Sequence, residues 1–150
     1  MIGEFAHVGI GVFNLEESVR FYTDVIGMEI EYRAHHEGAG ISQVVNVENA
    51  HLNVCMMRKG GMRIELIEYF DRTKKRVTST DQAIPGLLHL AFKVDDVDAV
   101  HRKLESMGYR FHSHPMVTRE NGPKICYFLG PDNVTMELYQ ETGTSKRTAP

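Results

Sequence analysis

The sequence predicts an α+β fold built from two similar βαβββ modules. Three observations carry this. First, the chain repeats itself at an offset of 82, so that "HVGIGVFNLEESVRFYTDVIGMEIEY" from His7 falls on "HLAFKVDDVDAVHRKLESMGYRFHS" from His89. Second, each copy reads as strand, polar cap, amphipathic helix, glycine, strand. Third, each helix is followed by short alternating or β-branched runs separated by turn residues. Halves of about 60 residues bury little core alone. Helices covering one face of a curved mixed sheet is the economical arrangement.

Each element follows from local chemistry. Asn14 is placed to accept from first-turn amides, with Glu17 three residues on, as in a capping box; Asp95 or Asp96 serves the second helix. Leu15, Val19, Tyr22 and Ile26 form one apolar stripe of helical spacing, and Val97, Val100, Leu104 and Met107 the other. Gly27 and Gly108 suit left-handed helix ends. The strands expected next are 28–33, 42–47, 50–57 and 63–69 in the first half, and 110–114, 124–129 and 135–140 in the second. "RKGG" and "GPDN" are turns. Module 1 then covers about 3–70 and module 2 about 87–141, with a polar connector at 71–86 and a loose tail at 142–150, in one domain of 150 residues.

Composition narrows the function classes. The chain is 42% hydrophobic and 25% charged with a net charge of -3, so a nucleic-acid binder is not expected. Its basic cluster, "RTKKR" at 72–76, reads as a solvated loop. Cys55 and Cys126 lie far apart in strand-like runs and read as buried free thiols of a cytoplasmic protein. No signal-peptide pattern and no apolar run of membrane-spanning length is visible.

The chemistry lies in residues that break the apolar pattern. Side chains alternate faces along a strand. In "LLHLAF", Leu88, Leu90 and Phe92 should face the helix, which turns His89 away. By the same reading Ala6, Val8 and Ile10 face the helix and His7 does not. Ile64 and Leu66 leave Glu65 on the far face, and Met136 and Leu138 leave Glu137 there. One His and one Glu from each half thus occupy equivalent positions. A mid-strand carboxylate is costly unless paired or metal-bound. Two imidazoles and two carboxylates suit one divalent ion: Zn, Ni, Co, Mn or Fe, with Zn or Ni favoured.

At these residues the sequence resembles the vicinal oxygen chelate superfamily, which includes glyoxalase I, methylmalonyl-CoA epimerase, extradiol dioxygenases and the fosfomycin- and bleomycin-resistance proteins. The resemblance covers about residues 3–141 and is carried by "HVGIGVFNLEESVRFYTDVIGMEI", "RIELIEY", "LLHLAFKVDDVDAVHRKLESMG" and "YFLGPDNVTMELYQ". "FYTDVIGM" is similar to the helix-end signature of glyoxalase I. "GPDNVTMEL" is similar to the family's Asp-Pro-Asp-Gly turn, with Gly130 in place of the first Asp. The resemblance implies eight strands in a U-shaped sheet around a metal cleft, with helices outside.

Carried over residue by residue, His7, Glu65, His89 and Glu137 match the four metal ligands of glyoxalase I. Methylmalonyl-CoA epimerases usually have Gln where Glu65 stands, extradiol dioxygenases use two His and one Glu, and bleomycin-type binders lack the set. The resemblance therefore implies a metal-dependent lyase or isomerase of the glyoxalase I type, abstracting a proton from a small oxygenated substrate through a metal-stabilised enediolate. Glu137 is the first choice of base and Glu65 the second. The alternatives are a methylmalonyl-CoA-type epimerase, then an Fe(II) extradiol-type dioxygenase or a metal-retaining binding protein. Candidate substrate contacts are Arg33, Asn53, Arg119, Lys124, Tyr127 and Tyr139, with Gln43 a weaker one; His35, His36, Glu37, His112 and His114 read chiefly as loop surface. A homodimer with a small-molecule substrate completes the expectation.

Overall fold

Both helix caps form as the side chains dictate. Asn14 Oδ1 accepts from the Glu17 amide at 3.0 Å and Asp96 Oδ1 from the Ala99 amide at 2.9 Å, starting α1 (Leu15–Asp24) and α3 (Val97–Ser106). Gly27 and Gly108 take φ of 75° and 91° just past those helices, a conformation in which a Cβ is strained. The computed structural model describes residues 3–70 and 78–142, so the basic cluster at 72–76 and residues 143–150 of the tail lie outside the described residues.

The chain divides into two units, Met1–Arg76 and Val77–Pro150. The first holds β1 (Val8–Gly11), α1, β2 (Glu29–Glu37), α2 (Ala39–Val45), β3 (His51–Lys59) and β4 (Met62–Tyr69), with sheet order β1-β4-β3-β2. The second holds β5 (His89–Lys93), α3, β6 (Met116–Val117), β7 (Lys124–Leu129) and β8 (Thr135–Gln140), ordered β5-β8-β7-β6. In each sheet the first strand pairs parallel with the last and the remaining pairs are antiparallel. This is the α+β class: two four-stranded mixed sheets and three helices. No helix among the described residues is long and apolar enough to cross a membrane.

The core of the first unit joins Leu15, Val19, Phe21 and Tyr22 of α1 to the sheet face carrying Cys55, Met57, Ile64 and Leu66, all buried. The Leu15 amide donates to Glu68 Oε2 at 3.1 Å, so a strand carboxylate on that face also satisfies the helix start. In the second unit Val97 and Leu104 of α3 are buried, as are Leu90, Cys126, Phe128, Met136 and Leu138.

Four expectations are corrected. Residues 42–47, expected as a strand, lie mostly in α2. Its run of β-branched residues imitates a strand, and seven residues show too little period to decide. Tertiary packing decides instead: Ile41 and Val45, one helical turn apart, pack on Ala50, Leu52 and Val54. Those strand residues share the Glu65 face, so α2 covers part of the face opposite α1.

The strand expected at 110–114 is reduced to a bridge from Phe111 to Phe128, and β6 forms further on at Met116–Val117, after Pro115. Leu88 precedes β5 and is 68% exposed, so it does not join Leu90 against the helix. Met107, expected in the apolar stripe, lies just past α3 and is exposed, whereas His101 of α3 is buried against Phe111, ring centroids 4.2 Å apart.

Cys55 and Cys126 are free and buried, and burial pushes the Cys126 thiol up to about 11. The thiolate is the reactive form. In folded protein at pH 8, both thiols are expected to react with an aromatic disulfide reagent far more slowly than in denaturant, where two equivalents react. Rapid labelling of either in folded protein would contradict this burial.

Candidate functional site

Strand register explains which side chains meet. In the first sheet Glu65 of β4 lies level with Gly9 of β1 on one side and Met56 of β3 on the other. His7, two residues before Gly9, shares that face, and its Nε2 lies 3.6 Å from Glu65 Oε2. Glycine at position 9 leaves space beside the carboxylate. Arg63, the obvious alternative partner for Glu65, instead donates to Glu31 Oε2 from Nε at 2.8 Å.

The second sheet repeats the pattern. Glu137 of β8 lies level with Ala91 of β5 and Tyr127 of β7. Another small residue therefore flanks the carboxylate, and His89, two residues before Ala91, places Nε2 3.1 Å from Glu137 Oε2. Each half thus brings its own histidine and glutamate together.

The two pairs differ in their third neighbour. Tyr127 donates its hydroxyl to Glu137, and its ring meets that of His89 edge-on at 5.2 Å. Burial first, then the charge of Glu137 and this hydrogen bond, raise the phenol above its ordinary value. The hydroxyl therefore remains a proton donor across neutral pH. At the equivalent place beside Glu65 stands Met56, which has no hydrogen to donate. Glu137 is also the more buried carboxylate, its side chain 10% exposed against 22% for Glu65.

The remaining expected contacts separate by face. Tyr127 and Tyr139 lie on the face of Glu137. Arg33 and Asn53 are level with Cys55 and Glu68, on the face opposite Glu65. There Arg33 binds Glu16 of α1, and Asn53 Oδ1 lies 2.8 Å from His35 Nδ1. Lys124 is turned toward α3 and pairs with Asp98, away from Glu137. Arg119 is exposed in the turn after β6, and Gln43 is exposed on α2. His36 alone of its neighbours shares the face of Glu65, because alternation divides it from His35 and Glu37.

One supporting pair escaped the sequence reading. Gln82, in the connector, donates from Nε2 to Thr135 Oγ1 at 2.8 Å. Thr135 is buried, level with His89, on the Glu137 face. A glutamine in a polar connector carries no pattern that predicts this.

Each His–Glu pair suits two ligand positions of a divalent ion. Each half offers one imidazole nitrogen and one carboxylate oxygen, 3.1 and 3.6 Å apart, close to the separation of two ligand atoms on one zinc ion, roughly 3.3 Å. Glu137 is nearly buried, where a cation would offset the cost of desolvating a carboxylate.

Comparison with known proteins agrees with this fold. The chain is 31% identical over 140 residues to the 2-epi-5-epi-valiolone epimerase of an Actinomyces species, covering 88% of this chain and 76% of that one. It is 26% identical over 149 residues to the lactoylglutathione lyase of Schizosaccharomyces pombe, covering 94% of this chain and 48% of the yeast protein. A glyoxalase family protein from Bacillus cereus superposes with a TM-score of 0.80 at 26% identity, covering 95% of this chain and 97% of that one. The model of the glyoxalase/bleomycin resistance protein/dioxygenase superfamily matches residues 6–127, and with the paired His–Glu strands on repeated modules this makes the chain a member of that superfamily.

Proposed function

We propose that the protein is a metal-dependent lyase or isomerase of the glyoxalase I type, acting on a small oxygenated substrate by proton abstraction. The observation that carries this reading is the matched pair of His–Glu contacts, His7 with Glu65 and His89 with Glu137. These four residues would hold one divalent ion, zinc or nickel by preference, within one chain or completed in a homodimer. Such an ion supplies Lewis-acid polarisation of a substrate oxygen, which acidifies the neighbouring C–H. Glu137 takes the proton, steadied by the Tyr127 hydroxyl, and returns it. Glu65, beside Met56 rather than a donor, serves as the second base.

Tyr139 is the remaining candidate substrate contact on the Glu137 face. Arg33, Asn53 and Lys124 are engaged on the opposite faces and are assigned no contact with substrate near these carboxylates.

A second reading, epimerisation, is favoured by the 31% identity to an epimerase. Two carboxylates in equivalent register positions suit removal of a proton from one side of a carbon and its return from the other. Solvent-deuterium exchange tests both. Purified protein loaded with zinc or nickel is incubated in deuterated buffer with 2-oxo thiohemiacetals and 2-substituted acyl thioesters. Incorporation without inversion supports the lyase or isomerase, and incorporation with inversion supports the epimerase. No incorporation across the panel, with dioxygen uptake on a catechol by the iron-loaded protein, would overturn both.

A further inference from the structure

A second group of metal-ligating side chains lies on the other face of the first sheet. We propose that His35, Glu37 and His51 form an additional divalent-metal site, separate from His7 and Glu65, with Asn53 orienting one ligand. His35 and Glu37 are two residues apart on β2, hence on one face. Glu37 lies level with His51 on β3, and His35 with Asn53. All four share the face opposite Glu65, because Asn53 is level with Glu68 while Met56 is level with Glu65.

The three ligand atoms lie within 4.8 Å of one another. His35 Nε2 and Glu37 Oε2 are 3.6 Å apart, near the roughly 3.3 Å expected for two ligands of one zinc ion. His51 sits edge-on to His35, ring centroids 4.8 Å apart, and also meets Phe70 at 4.9 Å.

The tie to Asn53 is what distinguishes this group from a chance surface cluster. Asn53 Oδ1 can only accept, so at 2.8 Å it takes the hydrogen of His35 Nδ1. Neutral imidazole with its proton on Nδ1 presents a lone pair at Nε2, the atom that faces Glu37. Metal-binding histidines are commonly set this way by a carbonyl on the other nitrogen. Two neutral imidazoles and one carboxylate suit zinc, nickel or cobalt better than magnesium or calcium. Three protein ligands leave a position for water. Glu37 and His51 also border a depression of about 520 Å³ with Ser42, Glu48 and Asn49, which gives solvent access.

The test is zinc stoichiometry of the full chain by equilibrium dialysis and elemental analysis, with circular dichroism checking the fold. In a His7→Ala/His89→Ala background, one equivalent of zinc is expected to remain. Adding His35→Ala or Glu37→Gln, both at exposed positions, should remove it. Asn53→Ala should weaken it 10- to 100-fold. Ring-nitrogen NMR should show the His35 Nε2 resonance moving on zinc addition while Nδ1 keeps its proton. The proposal is overturned if His35→Ala and Glu37→Gln leave zinc stoichiometry unchanged in both backgrounds. The functional reading fails separately: if the His7→Ala/His89→Ala protein keeps every equivalent that the native protein binds, that reading falls while this site stands.

Discussion

His89→Ala is expected to lower affinity for zinc or nickel at the proposed four-ligand site by at least about 100-fold and to abolish solvent-deuterium exchange. Loss of a residue that merely orients a metal ligand already costs about 10- to 100-fold, and His89 is proposed as a ligand itself. Its Nε2 lies 3.1 Å from Glu137, so the variant also leaves a nearly buried carboxylate without its nearest imidazole. Tyr127→Phe provides the graded comparison. It removes one hydrogen bond to a charged group, which is worth roughly 1.5–3 kcal/mol, and should reduce exchange by roughly 10- to 150-fold. Isothermal titration with the metal-free chain measures affinity, and exchange followed by NMR measures the chemistry. Unchanged affinity in a folded His89→Ala protein would remove this residue from the ligand set, provided that the His35–Glu37–His51 group is disabled in both proteins compared.

Phe128→Ala is expected to destabilise the second unit by about 3–5 kcal/mol, the range for emptying a buried aromatic position. Phe128 is wholly inaccessible to solvent, with Phe111 at 5.3 Å and Tyr109 at 6.0 Å between ring centroids. The loss reaches the site through the backbone. Phe128 is level with Met136 on β8, and its chain neighbour Tyr127 is level with Glu137. A looser β7 therefore relaxes the hydroxyl that holds the carboxylate. Urea unfolding gives the stability change from the shifted midpoint at constant slope. A change below about 1 kcal/mol would mean that the cavity collapses, contrary to close packing of Phe128 among its aromatic neighbours.

Much of this molecule is legible because local rules and tertiary structure agree. Asn14 and Asp96 are short polar acceptors at the start of apolar stripes, and each caps its helix. Gly27 and Gly108 supply the left-handed turns that follow. His7, Glu65, His89 and Glu137 interrupt apolar alternation, and period two alone assigns each to the face away from α1 or α3. The same parity test would have placed Arg33 had the course of β2 been known. β2 runs on to Glu37, with a register irregularity between Ile30 and Tyr32 that shifts every later pairing.

Other features arise only from contacts between distant segments. The α2 helix owes its stability to Leu52 and Val54 beneath Ile41 and Val45, and nothing within "AGISQVV" supplies that support. The buried His101 depends on Phe111 and His114, which approach it from a loop beyond the helix.

By itself, the sequence determined the repeat, the helix starts and ends, and the faces of His7, Glu65, His89 and Glu137, because each depends on a few neighbouring residues and a fixed backbone period. Only the tertiary structure decided that Tyr127 donates to Glu137 while Met56 flanks Glu65, and that His35, Glu37, His51 and Asn53 share one surface. Cross-strand register sets those meetings. Register depends on pairing between strands, whose alignment is chosen by the packing of the whole sheet.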